Sequence, residues 1–155
     1  MRVETSETTA NLRNEPVIQF SVFIPNQVGR LNELIQLLGA QDVHVLALTA
    51  LDTTESTIVR LVVDDPEKSR LLLSQAGFAF TESQPVVVAL DHPGDLGGLV
   101  AALLEAELNI NYLYSFIPHP GGKSILGLSM EDNEVAEKVL RQHQFVTLRQ
   151  SDLSR

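Results

Sequence analysis

Apolar residues alternate through Ile18, Phe20 and Val22, as in a strand with one buried face, and the pattern then changes to the helical spacing of Leu31, Leu34, Ile35 and Leu38. Read along the chain, the pattern predicts strand, helix, strand, strand, helix, strand, and then the same six elements again. Strands are expected at 17–24, 43–51, 57–63 and 78–82, and at 86–90, 109–117, 124–130 and 145–149. Leu96, Leu99, Val100, Leu103 and Leu104 carry the helical stripe of the second copy. Ser69, Leu72, Leu73 and Ala76 in the first later helix match Ala136, Val139, Leu140 and His143 in the second. Asp65 before Pro66 predicts an N-cap followed by a proline at the first helical position, and Asp132 takes the corresponding place.

The chain is thus written twice. Pairing Gly29 with Gly97, a shift of 68, sets Ile18, Phe20 and Val22 against Val86, Val88 and Leu90. From the end of the first helix the best shift is 67, which pairs Asp42 with Asn109. The middle strands should meet in hairpins, the second closed by Gly121 and Gly122. The order βαββαβ predicts an α+β fold of two tandem ferredoxin-like units, each an antiparallel sheet with its helices on one face. The units are expected at 17–84 and 85–150, with polar tails at 1–16 and 151–155. A second strand lies at a sheet edge in this topology. "VHVLALTAL" and "NINYLYSFI" contain no Lys or Arg to protect that edge, which predicts cover by the other unit or by a second chain, and so at least a homodimer.

Hydrophobic residues make up 44% of the 155 positions, enough for a buried core. The formal charge of −9 is spread evenly, with eight acidic and four basic residues in each of 17–84 and 85–150, so neither half offers the basic patch that nucleic acid or an anionic membrane requires. There is no cysteine, which excludes thiolate metal sites and cysteine nucleophiles. No segment of signal-peptide or membrane-span character is found, so the chain reads as cytoplasmic. His44, His92, His119 and His143 have no metal-ligand spacing, and no metal or other cofactor is expected. Asp91 and His92, as neighbours in an extended segment, point to opposite faces and make a poor acid–base dyad. "GDLGG" lacks the spacing of a dinucleotide fingerprint. Tyr112, Tyr114 and Phe116 share a strand face, but without basic surroundings they suit packing between modules better than base stacking.

The remaining candidates are the two glycine-bearing loops that open helices. A helix start presents unpaired N–H groups and partial positive charge, which favour a carboxylate or phosphate. Gly97 could serve close approach of such a ligand, or could be required by a turn with positive φ. Asn26, Asp42, Asp95 and Asn109 are candidate acceptors for an ammonium group.

The stretch "VVVALDHPGDLGGLVAALLEAELNINYLYSF" resembles an ACT domain, with Pro93, Gly94, Leu96, Gly97 and Leu99 in the loop and Asn109 and Ile110 opening the next strand. The resemblance extends over about Val17 to Gln150, to stand-alone proteins built of two such modules. Copy one departs from it: "PNQVGRL" lacks the Pro-Gly pair, and its second strand opens Asp42-Val43-His44. Both copies lack the glycine that commonly closes the first helix, with Gln41 and Leu108 in its place. The resemblance implies a free amino acid held between paired modules. It points to Asn26, Gln27, Val28, Gly29, Arg30 and Leu31 of the first loop and Asp95, Leu96 and Gly97 of the second. These would face Asp42, His44 and Val45 at one second strand and Asn109, Ile110 and Asn111 at the other. Copy two is expected to carry the stronger site. The function implied is non-enzymatic: an amino-acid-binding regulatory protein that reports to a metabolic enzyme or regulator. A constitutive protein-interaction module with vestigial loops is the alternative, and a small enzyme ranks last.

Overall fold

The computed structural model describes residues 15–118 and 122–154. Most of the expected N-terminal tail, the turn at Gly121 and His119 lie outside the described residues. Contacts divide the chain into two units, one of residues 18–83 and one of 84–153 that also takes in the segment up to Val17.

The first unit runs β1 (Gln19–Pro25), α1 (Arg30–Ala40), β2 (Val45–Asp52), β3 (Ser56–Val63), α2 (Pro66–Gln75) and β4 (Ala79–Ser83). The second runs β5 (Val86–Leu90), a short 3₁₀ turn (Pro93–Asp95), α3 (Leu96–Glu105), β6 (Ile110–Ser115), β7 (Ser124–Met130), α4 (Asn133–Gln142), β8 (Val146–Thr147) and α5 (Gln150–Leu153). Sheet orders are β2-β3-β1-β4 and β6-β7-β5-β8, all pairs antiparallel. Two ferredoxin-like units are therefore present, with β2 and β6 at sheet edges as expected.

Alternation decides which face is buried. Phe20, Val22, Ile24, Val59, Leu61 and Val63 pack with Leu34 and Leu38 of α1 and Leu73 of α2. In the second unit, Val86, Val88, Leu90, Leu128 and Met130 pack with Leu99, Leu103, Ala136 and Leu140. The predicted caps form: Asp65 Oδ1 accepts from Lys68 N–H and Asp132 Oδ1 from Val135 N–H, each at 3.1 Å. Arg70 grips Glu82 through both oxygens, at 2.8 and 2.6 Å, tying α2 to β4. That fork holds the Glu82 carboxyl below its ordinary pKa. The last strand is shorter than expected, although Leu148 N–H still reaches Val87 O. The expected C-terminal tail begins instead inside α5, whose Gln150 is buried and donates to Glu15 O.

The internal repeat has a different register from the one that the glycines suggest. Val22 lies between Val59 and Phe80, and Val88 lies between Leu126 and Thr147, so the two are equivalent and the shift in this strand is 88 − 22 = 66. In the first helices Leu34 and Leu38 answer Leu99 and Leu103, a shift of 65. The same shift continues into the second strands. Asp64 N–H donates to His44 O and Glu131 N–H to Asn109 O, which makes Asn109 the counterpart of His44 rather than of Asp42. From β3 onward the expected 67 holds, as Asp65 and Asp132 show.

All four main helices close in one way. Asp42, Gly77, Glu107 and Gln144 take left-handed φ values of 60°, 78°, 57° and 67°. The following apolar residue, Val43, Phe78, Leu108 or Phe145, then donates its N–H to a core leucine five positions back, at 3.0, 3.0, 3.1 and 2.9 Å. The closures thus fall at Asp42 and Glu107, not at Gln41 and Leu108. Only one of the four left-handed positions is glycine, and a side chain there costs about 1 kcal/mol. Glu107→Gly and Gln144→Gly are each expected to stabilise the fold by roughly 0.5–1 kcal/mol in urea melts, while Gly77→Ala destabilises it by about 1 kcal/mol or more. Equal loss from all three would contradict this reading of the helix ends.

Candidate functional site

In the first unit, β1 ends at Pro25, and Asn26, Gln27, Val28 and Gly29 form an exposed loop before α1. Gln27 N–H turns back to Pro25 O at 2.8 Å. Gly29 occupies the cap position at φ 90°, a conformation that disfavours any side chain, and no side chain caps the helix. Arg30 is half-buried, paired with Glu33 and lying 5.1 Å over the Phe78 ring. Leu31 is exposed. The start of α1 therefore has no side-chain cap, and the carboxylate in its first turn, Glu33, is engaged by Arg30.

The second loop is built differently. His92 Nδ1 accepts from Gly94 N–H at 3.1 Å, and the Asp95 carboxylate accepts from His92 N–H at 3.3 Å. The two side chains make a reciprocal cap, and Asp95 puts a negative charge at the start of α3. A Cβ at Gly94 would stand 2.9 Å from the exposed His92 ring, which would have to shift to admit it. Gly97 lies inside α3 without positive φ, and a Cβ there would meet nothing within 4 Å. It is not the counterpart of Gly29, and the turn does not need it. His92 was not singled out as a loop residue from the sequence. The signal was a cap pattern, His92 three residues before Asp95.

At the start of β2, His44 donates its N–H to Asp64 Oδ1 at 2.9 Å, and its Nδ1 lies 2.8 Å from Asp64 Oδ2. Asp64 is buried, whereas Asp42 and His44 are exposed and Val45 half-buried. Asp64, at the end of β3, is a second residue missed in the sequence. In the second unit Asn109 and Asn111 are exposed and Ile110 half-buried. The register shifts between Ile110 and Tyr112, as it does between Val45 and Ala47, so Asn111 stands at a bulge and Leu46 at the matching one.

Within one unit these groups do not meet. Pro25 at the end of β1 is level with Ser56, and Asp52 at the end of β2 with Thr57, whereas Val45 is level with Val63 at the other end of β3. The eight residues of β2 put the loop and the strand start roughly 20 Å apart or more. The same separation holds for the β5–α3 loop and Asn109.

Asp91 and His92 go to separate partners, Asp91 pairing with Lys123 at 3.1 Å. Tyr112, Tyr114 and Phe116 stack in sequence with centroids 6.4 and 6.2 Å apart. Tyr114 presses on Gly127, where a Cβ would come within 2.6 Å of the ring. Among the described residues no group of His, Cys, Asp and Glu is placed to hold a metal ion, and no helix is long and apolar enough to cross a membrane.

The sequence matches the family model for an ACT domain pair over residues 16–155. The chain belongs to the ACT domain pair family. Such pairs are regulatory rather than catalytic in themselves and are typical of amino-acid-binding regulatory proteins. This ACT pair is similar to a solved protein of Bacteroides thetaiotaomicron at 26% identity and a TM-score of 0.81, over 90% of this chain and 96% of that one. It also shares its fold with the ligand-free regulatory subunit of aspartate kinase from Thermus thermophilus, at 14% identity and a TM-score of 0.55, over 83% of this chain and 93% of that one. No curated protein matches the sequence.

The two glycines should respond oppositely to the same change. Gly29→Ala is expected to destabilise the ACT pair by about 1 kcal/mol or more, since alanine must take a left-handed φ. Gly97→Ala should be neutral or stabilising by up to about 1 kcal/mol, because alanine is the better helix former. Urea midpoints for both variants decide the matter, and a large loss at Gly97 would contradict the open environment described for it.

Proposed function

We propose that this ACT pair is a non-enzymatic sensor of a free amino acid, acting in the cytoplasm as a homodimer and reporting to a metabolic enzyme or regulator. The ligand α-carboxylate sits at the start of α1 or α3, and its ammonium group is taken by acidic or amide side chains at the start of a second strand. Because one unit keeps these two groups at opposite ends, a complete site takes the loop from one module and the strand start from another, within the chain or from a second copy.

The observation that carries this reading is the start of α1, where Gly29 takes φ 90°, no side chain caps the helix, and the one acidic residue of the first turn, Glu33, is paired with Arg30. It also shifts the weight between the copies. The β5–α3 loop already uses His92 and Asp95 to satisfy its own donors, and Asp95 competes with an incoming carboxylate. The Asn26–Leu31 loop is the better carboxylate acceptor, the reverse of the order expected from the family pattern. The self-capped second loop is also the feature that favours the alternative, a constitutive interaction module, for that half of the chain.

A ligand that binds only the folded state adds about 2.7 kcal/mol at a hundredfold excess over Kd, enough to raise the melting temperature by several degrees. One amino acid, or a small related group, is expected to do so. Asn26→Leu should then weaken binding at least about tenfold while leaving the fold intact. A flat response to all twenty amino acids at millimolar concentration would favour the vestigial-loop reading.

A further inference from the structure

The second unit contains a cavity of about 680 Å³, within the size range of metabolite sites. Its walls come from Pro16–Val17, from the connector 84–87, from the outer side of α4 and from 147–149. None of the loop or strand-start residues discussed above lines it. It sits where the chain leaves this unit after Val17 and re-enters it at Gln84.

The charges around the cavity are out of keeping with the rest of the molecule. The basic residues between 85 and 150 are Lys123, Lys138, Arg141 and Arg149, against eight acidic ones, yet three of those four cations line this one cavity. Only Glu134 and Glu137 oppose them there. Arg141 and Arg149 each bring an Nη2 to within 2.6 Å of the same oxygen, Glu137 Oε1. Two guanidinium groups are thus drawn together on a single carboxylate, leaving one positive charge uncompensated between them. Arg141 spends its Nε on Thr147 Oγ1 at 3.0 Å. Arg149, with its side chain 29% exposed, has Glu137 as its ion-pair partner, and Lys138 has none among the described residues. Arg141 is exposed and Arg149 partly withdrawn from water, and the N–H groups that these two leave unspent around one carboxylate oxygen fit a carboxylate or phosphate.

We infer that this cavity is a binding site for a small organic or inorganic anion, held by Arg141, Arg149 and Lys138 around Glu137, and distinct from the amino-acid site proposed at the helix starts. The anion bridges the two guanidinium groups and relieves their mutual repulsion, and Lys138 adds charge from the helix one position after Glu137. Asn133, which donates to Gln84 O at 2.8 Å, ties the same helix to the connector, so occupancy would brace the segment at which the chain enters this unit.

Isothermal titration of the full chain at low ionic strength, with inorganic phosphate and with citrate as probes, tests the site. Binding of at least one probe is expected, weakened about tenfold or more by Arg149→Met and about threefold by Lys138→Met, and unchanged by Arg70→Met on the first unit. Binding of phosphate alone or of citrate alone would support the site and name its chemistry. Should Arg149→Met fail to fold, Lys138→Met decides, because among the described residues Lys138 makes no ion pair whose loss could unfold the protein. Absence of binding by both probes at millimolar concentration, or wild-type affinity in the folded cavity variants, would overturn the inference. Asn26→Leu should leave anion binding intact, so failure here and failure of the amino-acid reading are separate results.

Discussion

The third strand of each unit pairs antiparallel with both the first and the second, and this one constraint sets where the loops and strand starts of the proposed amino-acid site stand. Because β3 opposes both β1 and β2, those two strands run the same way, and the helix between them must return the chain to its starting end. The β1–α1 loop is left at one end of the sheet and the opening of β2 at the other, with Pro25 level with Ser56 and Val45 level with Val63. No adjustment of side chains can close a gap of roughly 20 Å. A ligand that needs the donors of a helix start and the acceptors of a strand start must therefore find them on two modules. Under the proposed function, the need for paired units follows from strand direction.

The two units share this framework but finish their loops differently. In the second, His92 and Asp95 satisfy the backbone locally, and the imidazole lies against the glycine at position 94. In the first, Gly29 turns the chain and leaves the helix start open. The strand starts differ as well: Asp64 fixes His44 through both its backbone and its ring, whereas Asn109 accepts a backbone bond from Glu131 at its carbonyl. Duplication supplied two equal frames, and the chemistry of each was settled by a few residues at the ends of its strands.

Much of this was legible in the sequence. Alternation located the strands and their buried faces, and the caps at Asp65 and Asp132 fixed the second half of each repeat to the residue. The first half was misaligned for a definite physical reason. A strand pattern repeats every two residues, so a shift of 68 places buried residues on buried residues as well as the true 66 does. Helical stripes recur at three and four, so an error of three between 68 and 65 also passes unnoticed in the first helices. Matching Gly29 to Gly97 by residue type then fixed the wrong choice, because glycine serves φ at one position and merely sits in a helix at the other. The buried Asp64, the His92 cap and the cations around Glu137 depend on contacts between segments distant in sequence, or on local caps outside the usual residue types. Periodicity does not reveal them.

The central claim, that a ligand site needs two modules because each module keeps its loop and its strand start apart, is tested most directly by a crystal structure of the protein with the amino acid that most raises its melting temperature. The account predicts the ligand carboxylate against the N–H groups at the start of α1 or α3, and its ammonium group against the first residues of β2 or β6 belonging to a different module. A ligand bound wholly within one module, or one that touches neither helix start, would contradict it.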